Sequence, residues 1–309
     1  MIKSQIYQSK YLPIFKALGK HSVIALIALI VIGGATRVME AGLACPDWPL
    51  CYGSLLPLKH LNVRVFLEWF HRLDAFLVGI LILSKFILSL IWREQLPKWL
   101  PKAYSFLVFL VLLQGSIGAL TVINLLNSYA VTGHLLIAFF LLITTIFINQ
   151  NLENNLIIKE LLNWWKLLVF VPLFLILIQS FIGVRISSTW SAQLCLSLNK
   201  HCLILDAHKL FAYPISFSII SIILISIYKQ NLFSKNWKYI FSLLFLLTSQ
   251  IALGVLTLKT NLNQPIFVIG HQLNASLLIA ILSTLIFRNQ YFKKDINPSL
   301  NSSIICISQ

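Results

Sequence analysis

The sequence predicts an all-α membrane protein: eight transmembrane helices, arranged as two four-helix bundles related by a parallel repeat. Three observations carry this reading. Only 11% of the 309 residues are charged while 58% are hydrophobic, with mean hydropathy +0.86; a soluble domain needs roughly 25% charged residues to face water. The chain also contains eight apolar stretches of about 18 to 25 residues, long enough to cross a hydrocarbon layer of roughly 30 Å at about 1.5 Å per residue. Finally, the second four stretches echo the first four. The 12% aromatic content and the modest Gly and Pro counts exclude disordered and collagen-like chains, and no window alternates like the strands of a membrane barrel.

The spans read in order as His21–Val38, Val65–Trp92, Lys102–Val122, Tyr129–Asn149, Trp165–Arg185, Leu203–Tyr228, Tyr239–Leu258 and Ile266–Arg288. The first is basic and then apolar, as a signal peptide is, but seven spans follow it and Thr36-Arg37 is a poor cleavage site, so a retained helix is expected. Cations alternate between the gaps. Lys3, Lys10, Lys16 and Lys20 precede the first span; Arg93, Lys98, Lys102, Lys159, Lys166, Lys229, Lys235 and Lys238 lie in the even gaps; Arg288, Lys293 and Lys294 lie in the tail. The odd gaps hold only Lys59, Arg64, Lys200 and Lys259. This asymmetry predicts a cell-membrane protein with both termini cytoplasmic. It also explains the net charge of +15 as topology, which excludes nucleic-acid binding as its purpose.

The repeat is visible at the histidines. His71 and His134 are 63 residues apart, and so are His208 and His271. EWFHRLDAF is echoed by LILDAHKLFAY, QGSIGALTV by SQIALGVLTL, and VTGHLLIAF by VIGHQLNAS. Residues 1–150 and 151–309 are therefore expected to form two four-helix halves, both entering from the same side.

An ionisable side chain inside a membrane helix is costly and implies function. The four repeated histidines fall on the even-numbered spans, each about five residues, roughly 8 Å, past the span's start. They thus share one level near the outer face. Two imidazoles on parallel helices of one bundle can approach an iron from opposite sides, so two haem sites are expected, His71 with His134 and His208 with His271. Gly115, Gly118, Gly133, Gly183, Gly254 and Gly270 would let a flat macrocycle approach the backbone, though small residues also serve plain helix packing. Arg37, Arg72, Arg185 and Lys209 lie at the same level and are candidate partners for propionates, with interfacial snorkelling as the alternative.

Glu68 precedes His71 by three residues and shares its helix face. The second half has Leu205 there, so one site carries an acid–base group and the other does not. A carboxylate held away from water is suited to proton transfer; pairing with Arg72 at i+4 is the structural alternative. Asp74 and Asp206 read as helix-start or interfacial acids. Cys45 with Cys51, and Cys195 with Cys202, lie in the first and third outer loops, where an oxidising exterior permits disulfides; a redox role is the sharper alternative to stapling. Cys306 lies in the tail.

The segments GGATRVMEAGLACPDWPLCYG, EWFHR, GALTV followed by Gly-His, and the later GH and DAHK resemble the haem A synthase family from Gly33 to about Leu277. The resemblance implies an eight-helix oxidoreductase that converts the methyl group of haem O to the formyl group of haem A by successive hydroxylations, for use in terminal oxidases. It further implies that His71 and His134 bind the substrate haem O, that His208 and His271 bind a resident haem b, and that Glu68 is the catalytic carboxylate. Implied partners are haem O, the bilayer, a haem O synthase (protohaem farnesyltransferase), an unidentified electron acceptor and further copies of the chain. Where the family usually continues its Thr-Arg with Leu and Ser-Gly, this chain has Val38, Met39, Glu40 and Ala41. The competing expectations are a dihaem b-type electron-transfer cytochrome, with both haems permanent, and a haem transporter or chaperone that releases its haem unchanged.

Overall fold

The structure, a computed structural model, describes residues 10–153, 163–189 and 202–288. It consists of α1 (Leu12–Val38), a short 3-10 turn (Leu58–His60), α2 (Val63–Ile91), α3 (Leu100–Ile123), α4 (Ser128–Glu153), α5 (Asn163–Ser188), α6 (Leu203–Tyr228), α7 (Gln230–Lys259) and α8 (Pro265–Phe287). All eight α-helices are long and apolar enough to cross a membrane. Large side chains such as Phe76, Leu112, Phe217 and Phe245 remain exposed on their outer faces, as befits contact with lipid. This is a multi-pass membrane protein.

Local chemistry sets the helix ends. Asn62 caps α2, its side chain accepting from the N–H groups of Arg64 and Val65, and Pro13, Pro101 and Pro265 stand in the first turns of α1, α3 and α8, where the missing N–H costs nothing. Two helices are longer than hydropathy suggests. α1 starts at Leu12 instead of His21, and α7 at Gln230 instead of Tyr239. Apolar content stops where the bilayer stops, whereas the i→i−4 hydrogen-bond ladder continues into the polar zone, where Leu12, Phe15 and Leu232 still find a core to enter.

The α3–α4 and α7–α8 turns are alike. Each ends its helix with two consecutive left-handed residues, Leu125 and Leu126 in one, Asn261 and Leu262 in the other, and the second N–H of each pair bonds back to a threonine carbonyl, Thr121 or Thr257. These are the threonines of the GALTV and GVLTL echoes.

Helix α1 packs on α2 and α4, α2 on α3, and α3 on α4, closing one ring; α5, α6, α7 and α8 close a second ring in the same order. The rings meet through α1, α4, α5 and α8. One continuous apolar cluster runs through all eight helices, and its members (Leu12 to Ile30 on α1, Val78 and Ile82 on α2, Phe139 to Leu152 on α4, Ile215 to Ile223 on α6, Leu278 to Ile286 on α8) lie toward the end of the molecule away from the histidines. The packed end fixes the helices. The opposite end carries the polar chemistry.

Candidate functional site

His71, His134, His208 and His271 sit on α2, α4, α6 and α8, eight, six, five and six residues past the first residue of each helix. The structure brings them together in the expected pairs. The ring centroids of His71 and His134 are 6.5 Å apart, and those of His208 and His271 are 6.4 Å apart. Two imidazoles bonded from opposite sides to one metal at about 2 Å each would have centroids roughly 6 to 6.5 Å apart. In all four rings Nδ1 is buried without a hydrogen-bond partner. A buried unsatisfied nitrogen is costly in a finished core, so these orphans suit rings that await a ligand.

Each ring rests on a glycine of the preceding helix. A Cβ at Gly33 would come within 2.8 Å of His71 Cε1; at Gly118, within 3.0 Å of His134 Cε1; at Gly183, within 3.0 Å of His208 Cε1; and at Gly254, within 3.3 Å of His271 Cε1. Gly118, Gly183 and Gly254 are therefore supports for histidine rings. Gly115 and Gly133 have nothing within 4 Å and Gly270 meets only Leu253, so those three are not. Gly33 was legible only as part of the GGATR motif.

Three glutamines escaped the sequence reading. Gln114 Nε2 lies 3.3 Å from His134 Nε2, Gln250 Nε2 lies 3.1 Å from His271 Nε2, and Gln179 donates to the backbone carbonyl of His208 at 2.7 Å. Each stands four residues before a supporting glycine, one helical turn away, in QGSIG, QSFIG and QIALG. That shared spacing was the available signal.

Glu68 is buried at 3% exposure. Its Oε1 accepts from Arg72 at 2.5 Å and its Oε2 accepts from the Cys45 N–H at 2.8 Å. Arg72 also donates to the carbonyls of Asp47 and Leu50. The loop that holds these groups is closed by the Cys45–Cys51 disulfide, with Cα atoms 4.8 Å apart, and the two half-cystines bury against Val65 at the start of α2. Asp47 finishes the loop by accepting from the N–H groups of Tyr52 and Gly53; the Gly53 bond foremost holds its carboxyl below the ordinary aspartate range. At the place of Glu68 in the second half, Leu205 packs with Ile186 and Cys202. Cys202 is disulfide-bonded, and Cys195 lies outside the described residues.

The other cations are engaged differently. Arg37 donates to Gln272 Oε1 at 3.1 Å while its Nε is buried without a partner. Arg185 donates to Ser128 and stacks on the Tyr129 ring. Lys209 pairs with Asp206 at 3.3 Å, half exposed. Arg37 on α1 thus reaches α8, and Arg185 on α5 reaches α4, each crossing to the histidine-bearing helix of the other ring.

Comparison with known proteins bears on this arrangement. A model of the COX15-CtaA family, described as cytochrome oxidase assembly protein, matches residues 18–283. The chain belongs to that family. It is similar to the haem A synthase of Shewanella oneidensis, 31% identical over 195 residues, covering 57% of this chain and 58% of that protein. It is also similar to the haem A synthase of Bradyrhizobium diazoefficiens, 34% identical over 151 residues, covering 38% and 42%, and to that of Exiguobacterium sibiricum, 31% identical over 97 residues, covering 30% and 31%. The chain thus aligns with little more than half the length of the first of these relatives. All four histidines and Glu68 fall inside the family match.

Proposed function

We propose that this chain is a haem A synthase, oxidising a methyl group of haem O to a formyl group. The observation that carries the proposal is a buried carboxylate, Glu68, one helical turn before His71, where the matching position before His208 is Leu205. Two sites of equal ring spacing but unequal chemistry suit a substrate and a helper. The family match and the names of the relatives support the same reading.

In this reading residues 1–150 and 151–309 are parallel-repeat halves with both termini cytoplasmic. His71 and His134 hold the substrate haem O through its own iron, and His208 and His271 hold haem b. Bound there, haem b would supply a one-electron acceptor beside the substrate half. Two hydroxylations with water as oxygen donor, each releasing two electrons and two protons, followed by loss of water, convert methyl to formyl. Glu68 receives the protons. Its tie to Arg72 sets its direction, and the Cys45 N–H keeps its second oxygen in place, so the loop orients the base. The electrons pass on to an acceptor outside the chain. Arg37, with its unpartnered Nε, is the cation best placed to receive a propionate.

A second reading, a dihaem electron carrier, is favoured by one observation: Glu68 is already ion-paired with Arg72, as a structural carboxylate would be. Extraction and chromatography of the haems after co-expression with a haem O source separates the two. Haem A or hydroxylated haem O is expected from the native chain, and unreacted haem O from Glu68→Gln, a change that keeps an oxygen for the Cys45 N–H. Only haem b, at two per chain in both proteins, would establish the carrier instead.

A further inference from the structure

The loop between α1 and α2 turns its apolar side chains outward. Four of the seven residues 55–61 are leucines, and all four stand out of the fold: Leu55 is 84% exposed, Leu58 67%, Leu56 48% and Leu61 47%. A loop that meets only water is ordinarily polar on its outer side, and a contiguous apolar patch marks a contact surface. The segment is well folded. Tyr52 stacks on His60 with ring centroids 4.0 Å apart, the Cys51 and Ser54 backbones exchange two hydrogen bonds at 3.2 Å, and the Leu58–His60 turn follows. The loop's own structure therefore holds these leucines outward.

One hydrogen bond gives the depth of this rim. Trp69 Nε1 donates to the Leu55 carbonyl at 2.7 Å, so the loop folds back alongside the first two turns of α2 instead of standing off its end. Helix α2 has 29 residues and is about 43 Å long, against roughly 30 Å of hydrocarbon. Its outward side chains stay apolar from Ile91 back through Leu83, Ile80 and Phe76 to Phe70 and Phe66. Counted back from Ile91, the roughly 20 residues that cross the hydrocarbon end near His71, which puts the turns bearing Phe66, Trp69 and Phe70 in the headgroup zone. Aromatic rings gather there in membrane proteins, and these three pack as one cluster with centroids 5.6 to 6.4 Å apart. The rim joins the cluster at Trp69 and so continues the lipid-facing surface of α2.

We propose that the 55–61 rim is a membrane anchor, seated in lipid at the histidine end, that steadies the loop holding Glu68 and Arg72. Apolar side chains of interfacial segments enter the headgroup and acyl boundary by about 5 to 10 Å, and the long stem of exposed Lys59 lets its ammonium stay among the headgroup phosphates while Leu58 points inward to lipid. Behind the rim, the loop gives the Cys45 N–H to Glu68 and the Asp47 and Leu50 carbonyls to Arg72. The disulfide closes that stretch at Cys51, four residues before Leu55, so the seating of the rim bears directly on the Glu68 contacts. Only the catalytic meaning of Glu68 rests on the function proposed above.

The test places a nitroxide on the full-length chain in vesicles of phosphatidylcholine and phosphatidylglycerol, with Cys306→Ser so that the tail takes no label. Collisions with oxygen, which concentrates in lipid, are compared with collisions with a nickel chelate, which stays in water. Labels at Leu55→Cys and Leu58→Cys are expected to approach the oxygen-to-nickel ratio of Phe76→Cys, on the lipid face of α2, and to exceed severalfold that of Glu94→Cys, in the gap before α3. A ratio like that at Glu94 would leave the rim in water, open to a soluble partner, and low collision with both reagents would put a second copy of the chain over it; either overturns the anchor. Leu55→Asp with Leu58→Asp should lift the rim and quicken amide exchange in the peptide containing Cys45 severalfold, with Leu55→Ser and Leu58→Ser as the gentler pair should the first fold poorly. Unchanged exchange at Cys45 in both pairs would overturn the steadying role.

Discussion

Glu68 and Asp47 are two carboxylates that build the same loop by different means. Glu68 is a buried partner of Arg72 and of the Cys45 N–H, so removing its side chain strands a guanidinium; loss of one member of a buried pair commonly costs about 3 to 5 kcal/mol. Glu68→Ala therefore confounds stability with chemistry more than Glu68→Gln, which keeps the side chain's volume and one acceptor oxygen. Asp47 is only partly buried, and its bonds are to backbone N–H groups. Because its folded pKa is lowered, its contribution is complete above the ordinary aspartate value of about 3.9 and is lost as pH falls through the lowered folded value. Amide exchange at Tyr52 and Gly53, corrected for intrinsic rates, should show pH-independent protection from pH 5 to 8 and lose it only at strongly acid pH. Loss of protection between pH 6 and 7 would mean that some other group holds the turn. The Glu68–His71 relation was legible because i and i+3 share a helix face; the Cys45 contact was not, because it joins a loop to a helix across 23 residues.

At the scale of the helix, the even-numbered elements carry the paired histidines and the odd-numbered ones carry the glycines they rest on. A glycine in a helix interior costs roughly 0.5 to 1 kcal/mol relative to alanine, and four are kept where a Cβ would press on an imidazole. Alanine at these positions should therefore raise helix stability while displacing the ring. The effect on haem absorbance and content is expected to be largest for Gly33→Ala, with its Cβ 2.8 Å from the ring, and smallest for Gly254→Ala, at 3.3 Å. Equal effects at all four, or none, would show that the close approach is incidental. The histidines were readable because a polar residue recurring at a fixed interval in an apolar helix stands out. The supporting glycines and glutamines were harder. A glycine signals close packing without naming its neighbour, and which side chain meets Gln250 depends on the register between α7 and α8. Helix ends were misjudged where polar residues continue a helix past the bilayer, as at Leu12 and Gln230.

Across the whole molecule, a solid apolar end holds eight helices so that four histidines at the other end form two pairs. The halves are tied at the histidine level by Arg37 to Gln272, by Gln272 to the Ile30 carbonyl at 2.9 Å, and by Arg185 to Ser128. Each tie ends on the helix that bears the other half's second histidine, or begins beside it. The echoes in the sequence predicted two halves but gave no sign of these cross-links, since Gln272 and Ser128 have no counterpart in the repeat. The proposed function makes the two pairs separate haem sites with separate jobs. The most direct measurement is the haem content of His71→Ala, His134→Ala, His208→Ala and His271→Ala, each expressed with a haem O source and extracted for chromatography. The first two variants are expected to keep haem b and lose haem O and its products, while the last two are expected to lose haem b and fail to oxidise the haem O they retain. The same haem profile in all four variants would contradict the proposed function.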